Sequence, residues 1–443
     1  MISTNFLALN YDVLALVLAL LSPHDAAQLA LVSQHAYAIA MPRVYSEASL
    51  GGAFHKPPGA AARQLNAFCT AMLADARRPV YLARLTLMRD AFRQAGSAWI
   101  IDASSVALLS QVLAQAKHLH TITVWGLAAL IDAYPPILNV LSKCAHLRTV
   151  CLGGAVPSLS VLSSAFPHVR HLQLVDGGGA HGPDWDHAPP SGRWRNLDHV
   201  DSGRALLPLA CSVRRVTLRD PLRADPVLLE NTLEYIRNTR PAVLSCTVDA
   251  SITDDEFVAR LAGAASSVKH LELVLHGCSS LARVMAWMAR VGPMLAELPL
   301  VGLALYSSTH AEHPTPQATP APSRPSSPSP FSDDISSPRS GSAVQRAPRA
   351  LVRAASALIT TPTPSTTPPE LPALAETLLN SLPAVPYLAL QPYGPHGDAG
   401  KRGTYEPIWF ARGYSRAGCR PVPLSVEEGV CVGRRLQGLD MYD

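Results

Sequence analysis

The sequence predicts an α/β protein: an all-helical unit over residues 1–45, then an irregular curved array of strand–helix repeats over 46–308, resumed and capped over 370–443 after a disordered insertion at 309–369. Three observations carry this. A short apolar pattern recurs along the chain, helical patterns lie between its copies, and one long segment has a composition that cannot form a core. The chain has 443 residues, 48% of them hydrophobic, which suffices for a buried interior. Only 16% are charged and the mean hydropathy is positive, which excludes a wholly disordered chain. A net charge of +4 is too thin for a phosphate-binding surface by itself.

The first forty residues read as three helices. Asp12 to Leu21 forms the first. Ser22-Pro23-His24-Asp25 restarts the chain with a capping serine, a proline at the first helical position and an acid two residues on, and a second helix runs to about Val32. Ser33 caps a third, which ends near Pro42. In the first helix Val13, Leu14, Val17, Leu18 and Leu21 make one apolar stripe, while Leu16, Ala19 and Leu20 make the other side apolar too. A helix that is hydrophobic all round needs cover all round, and forty residues have too little interior to supply it. Either the repeats and a partner share the task, or the helix is central to a larger core.

The repeated unit is apolar-x-x-apolar-x-apolar. It reads Leu82-x-x-Leu85-x-Leu87, Leu119-x-x-Ile122-x-Val124, Leu147-x-x-Val150-x-Leu152, Val169-x-x-Leu172-x-Leu174, Val213-x-x-Val216-x-Leu218 and Val268-x-x-Leu271-x-Leu273, with Val385-x-x-Leu388-x-Leu390 beyond the insertion. Ragged copies at Leu197-x-x-Val200 and Val243-x-x-Cys246-x-Val248 fill two gaps. From Leu82 to Val268 the first positions step by 37, 28, 22, 28, 16, 30 and 25 residues. The alternating tail of each unit predicts a short strand with one buried face. Between strands, Val106, Leu109, Leu113 and Ala116 share a helical face, as do Leu229, Leu233 and Ile236, the latter helix opened by Asp225-Pro226. These units resemble the degenerate leucine-rich repeats of fungal and plant proteins over roughly 80–305 and 372–430. The resemblance implies a solenoid with its strands on the concave side. The family's asparagine after the strand is missing, with Ala155 and Gly177 in its place.

Thr309 to Pro369 holds 13 prolines in 61 residues, many Ser and Thr, and eight Ser/Thr-Pro dipeptides of the kind proline-directed kinases modify. It cannot bury enough apolar surface to offset the entropy of ordering. Deleting it is expected to leave the melting temperature nearly unchanged; a large drop in a thermal melt would show it folded onto the repeats.

The eight cysteines form no C-x-x-C pair, which argues against a zinc ribbon and for reduced thiols in an intracellular protein, cytoplasmic or nuclear. No secretory signal pattern opens the chain, and its longest clean apolar run, Val13 to Leu21, is too short to span a bilayer. His181, Asp184, Asp186 and His187 could hold a divalent cation, but the glycines and prolines around them favour a surface loop, so no metal and no cofactor is expected. Asp254-Asp255-Glu256 fits the acidic first turn of a helix. No phosphate-binding loop, nucleophile elbow or dinucleotide fingerprint occurs, and no catalytic set is visible.

Leu9 to Ala40 resembles an F-box. Leu9, Asp12, Val13-Leu14, Val17-Leu18, Leu21, Ser22-Pro23, Asp25, Leu29, Leu31-Val32-Ser33 and Ile39-Ala40 fall at family positions, and Pro42-Arg43-Val44-Tyr45 with a strand ending at Leu50 is similar to the way fungal F-box proteins enter their first repeat. The family's usual proline is Asn10 here, its usual leucine is Ala26, and its common third-helix aromatic is Ala36, beside Tyr37. The resemblance implies binding to a Skp-type adaptor, and through it a cullin scaffold of a ubiquitin ligase, with Leu9, Asp12, Val13, Leu14, Leu16, Val17, Leu18, Leu20, Leu21, Pro23, Leu29, Leu31 and Val32 as the adaptor-binding residues. The repeats would then select the protein target. The alternative is a repeat scaffold whose N-terminal helices only cap the array.

Overall fold

The computed structural model describes residues 9–51, 60–92, 101–175, 194, 196–203, 206–209, 211–222, 226–249, 255–276, 281–308, 370–391, 407–415 and 418–438. Each N-terminal helix starts at a polar cap that satisfies an otherwise orphaned N–H. Asn10 accepts from the Asp12 N–H at 3.0 Å and opens α1 (Tyr11–Leu20), so this departure from the F-box pattern still carries a start signal. The Ser22 hydroxyl accepts from the Asp25 N–H at 3.1 Å and donates to its carboxylate at 2.7 Å, opening α2 (Pro23–Ala30). Ser33 accepts from the Ala36 N–H at 3.0 Å and opens α3 (Gln34–Val44).

Two helix ends differ by more than one residue from the sequence reading. α2 stops at Ala30, because Leu31 and Val32 turn back onto the carbonyls of Gln28 and Leu29. α3 continues past Pro42 to Val44: the proline is exposed in the last turn, where its missing N–H forfeits a single bond to the exposed Ala38 carbonyl. Arg43 then ties the unit together. It donates to the Leu21 carbonyl at 2.7 Å and reaches Glu47, in the first strand, at 2.8 Å.

From there every copy of the repeated unit makes a strand. These are β1 (Glu47–Leu50), β2 (Arg84–Leu87), β3 (Thr121–Trp125), β4 (Thr149–Gly153), β5 (His171–Val175), β6 (His199–Ser202), β7 (Arg215–Leu222), β8 (Val243–Asp249), β9 (His270–His276), β10 (Gly302–Ser308) and β11 (Tyr387–Leu390). They lie side by side in chain order, each parallel to the next. Leu85, Ile122, Val150, Leu172, Val200, Val216, Leu244, Leu271, Leu303 and Leu388 form one buried row across the sheet.

That row corrects one register. Leu244 and Cys246 align with Val216 and Leu218, so the unit begins at Pro241, itself buried, and not at Val243. It also gives the strand that the sequence places near Leu298 to Leu305, next to the one at Val385 to Leu390, its unit: Leu300-x-x-Leu303-x-Leu305, not among the copies named from sequence. Beside it, β11 pairs in parallel with β10, so the sheet continues across a chain interval, 309–369, that lies outside the described residues.

The intervening helices cover the apolar face. They are α4 (Ala60–Leu73), α5 (Arg78–Tyr81), α6 (Ala103–Gln115), α7 (Leu127–Ala133), α8 (Ile137–Ser142), α9 (Leu159–Ala165), α10 (Pro226–Thr239), α11 (Asp255–Ala264), α12 (Leu281–Leu295) and α13 (Glu370–Ser381). The expected faces are buried: Val106, Leu109 and Leu113 on α6, and Leu229, Leu233 and Ile236 on α10. Asp255 and Glu256 sit in the first turn of α11, while Asp225 and Asp254 lie outside the described residues. After β3 and β4 the turn uses glycines at positive φ, Gly126 (79°) and Gly154 (72°), and the Gly126 N–H donates to the Gly153 carbonyl at 2.8 Å. A backbone bond thus ties the turn after β3 to the end of β4.

The sheet ends in an antiparallel hairpin, β12 (Ile408–Ser415) and β13 (Gly418–Pro423), whose Pro421 and Pro423 blunt the free edge. A capping box of Ser425 and Glu428 then starts α14 (Val426–Gln437). This helix crosses to the other face of the sheet, where Leu436 packs with Ala304, Ala389 and Trp409, residues that alternate with the main core along their strands. Glycine makes the approach possible: a Cβ at Gly429 would sit 2.5 Å from the Trp409 ring. Gly429→Val is expected to lift α14 off the sheet and accelerate tryptic cleavage after Arg434 and Arg435; unchanged cleavage would show that the helix is held by other contacts. No helix of the described residues is long and apolar enough to cross a membrane.

Candidate interaction surfaces

α1 is apolar on both sides, and among the described residues only one side of it is covered. Leu14 and Leu18 are buried in the unit with Ala26, Ala36, Ala40 and Met41, so these two of the sequence-assigned binding residues face inward and support the surface from beneath. Val13, Leu16 and Leu20 sit one and two turns apart on the opposite side and are exposed, Leu16 at 69% and Leu20 at 87%. Leu31 (80%) and Val32 (70%), in the turn after α2, are exposed too, as is Leu9. Val17, Leu21, Pro23 and Leu29 are half-buried, and Asp12 is exposed in the first turn of α1. Of the stripe Val13, Leu14, Val17, Leu18 and Leu21, only Leu14 and Leu18 are therefore fully buried, while Val13 is exposed. The trimmed positions Ala26 and Ala36 are fully buried inside the unit, so they take area from its interior and none from the exposed face.

The second surface is the sheet face opposite the helices, made by the variable positions of each repeat. The rings of His171 and His199 stack with centroids 4.1 Å apart, and His199 Nε2 lies 3.0 Å from the Thr217 hydroxyl. Burial, then the neighbouring His171 and Arg215, hold His199 down at about 3; burial lowers His171 too. Burial thus favours the neutral imidazole, which pairs with the Thr217 hydroxyl through a hydrogen bond. Asp201 takes both prongs of Arg219, each at 2.6 Å. Glu272 accepts from Arg215 at 3.1 Å and from Gln437 of α14 at 3.2 Å, with His270 Nε2 at 3.4 Å. Burial pushes the Glu272 carboxyl up, but the His270 hydrogen bond and the Arg215 charge outweigh it and leave it at about 2.

None of these sheet-face residues was singled out as a site by the sequence reading. Their signal was present in the columns of variable positions, once the repeats are set in register. Cys151, on the same face, is raised by burial and is held as a thiol. Among the described residues no three His, Cys, Asp or Glu side chains cluster as metal ligands do, and the loop bearing His181 and His187 lies outside them. Compared with known proteins, the chain matches no family and no curated protein.

Proposed function

We propose that this chain is a non-enzymatic substrate-recognition subunit of a cullin–RING (SCF-type) ubiquitin ligase, with residues 9–45 as an F-box docking on a Skp-type adaptor and the leucine-rich-repeat-like solenoid binding the target. The observation that carries this is the exposed apolar surface of Val13, Leu16, Leu20, Leu31 and Val32 on a capped, internally packed helical unit. A helix that merely caps a repeat array turns a polar face outward. Here the outward face is leucine and valine, which in water marks a protein-binding site. The strict chain order of parallel strands supports the solenoid. Co-precipitation of the full chain with a recombinant Skp-type adaptor tests the reading. Capture supports it; absence of capture returns the chain to the scaffold alternative.

A further inference from the structure

Beside the carboxyl ends of α6 and α8, just ahead of β3 and β4, lies a cleft of about 250 Å³. Its floor is apolar, made by Leu113, Ala116, Leu119 and Val140. Cys144 adds to that floor, its Sγ donating to the Val140 carbonyl at 3.4 Å. Lys117, Lys143 and His146 stand at its rim, all exposed. Neither lysine has an ion-pair partner among the described residues. Arg148 continues the basic edge, its guanidinium spent on the carbonyls of Ala145 and His168 and on no acid. Beyond it Arg170 is exposed and meets Asp198 only at 4.0 Å.

Lysines after helix ends also serve to offset the helix dipole, and two such ends open here. Each end presents about half a negative charge, which Lys117, Lys143 and Arg148 together exceed, so the rim is left positive. The volume is below the roughly 300–1,000 Å³ of small-molecule pockets, which suits one inserted side chain better than a cofactor. An apolar slot within a cationic rim complements an aliphatic residue flanked by acids.

We propose that this cleft docks an acidic peptide segment of a partner protein, with one aliphatic side chain in the slot and carboxylates on either side meeting Lys117 and Lys143. The inference rests on the reading of the chain as a receptor and names the chemistry of what it receives.

Fluorescence anisotropy on the full chain, without adaptor, tests it with a labelled Glu-Glu-Leu-Glu-Glu peptide. The native chain is expected to bind this peptide, more weakly as salt rises, and to bind the peptide with serine for leucine about tenfold less well. Lys117→Glu with Lys143→Glu replaces two exposed attractions by repulsions, and about tenfold weaker binding is expected, with preference passing to Lys-Lys-Leu-Lys-Lys. Ala145→Trp, which fills the slot without changing charge, is expected to abolish the advantage of leucine over serine. The proposal is overturned if the native chain ignores the acidic peptide, if it binds the lysine peptide equally, or if the charge-reversed chain, melting as the native one does, binds as before. Adaptor capture measured on the same variants separates the two readings. A native chain that is captured by the adaptor but does not bind the acidic peptide removes the cleft alone; peptide binding by the native chain without capture leaves the cleft standing on a scaffold.

Discussion

Leu16→Asp combined with Leu20→Asp is expected to abolish capture of a Skp-type adaptor while leaving the circular dichroism and melting temperature of the chain nearly unchanged. Both side chains are largely in water already, so the folded state loses almost nothing, within about 0.5 kcal/mol per site. In an interface the same two carboxylates would be buried without partners at several kcal/mol each, which exceeds what a micromolar contact of about 8 kcal/mol can absorb. Leu18→Asp is the counterpart. It places the charge at a position that is 7% exposed, inside the unit, and is expected to unfold residues 9–45 and lose capture together with helical signal. Val17 is half-buried, so Val17→Asp divides its effect between the two. Unchanged capture by the Leu16/Leu20 variant sinks the adaptor surface as drawn here.

The largest expected loss of stability from one exchange on the sheet face that α14 reaches is at Glu272. Glu272→Gln removes the charge that holds Arg215 at 3.1 Å in a partly buried setting, and a cost of about 3 kcal/mol is expected in a denaturant titration. Replacing both partners, Arg215→Met with Glu272→Leu, leaves no lone charge and is expected to recover part of that loss. The pH dependence has a definite sign. The folded carboxyl titrates at about 2 against an ordinary 4.5, so its charge contributes fully above about pH 5 and is lost as pH falls towards 2. The stability gap between native and Glu272→Gln chains should therefore be constant near neutrality and close in acid. A gap that persists unchanged at pH 2 would show that Glu272 acts through shape and not through charge.

The strands were legible before the structure because each one buries the same three positions, and a period of two within a repeat leaves its mark in any sequence that must bury one face. Pro241 hid one copy, since a proline fills the first apolar position where leucine or valine stands elsewhere. Leu300 hid another: Leu298 and Leu300 are both buried, and only the pairing with β9 shows which begins the unit. The caps at Ser22 and Ser33 were legible for a similar reason, as a cap bonds a group two or three residues away and needs nothing more distant.

The sequence by itself thus determined the three N-terminal helices and most of the repeat strands with their apolar faces, all set by neighbours within one or two turns. Tertiary structure alone decided which side of α1 is left open, because a helix apolar all round has no pattern to choose by. It alone joined Glu272 to Arg215 and Gln437, whose meeting depends on the strand register and on where α14 lands. It alone placed α14 on the far face, through a close approach at Gly429 that no local period announces. The same holds for Lys117 and Lys143, which sit at the ends of different helices and form one rim only because consecutive repeats stack in register. Local periodicity records what each segment buries; a surface assembled from several segments exists only once their distances are set.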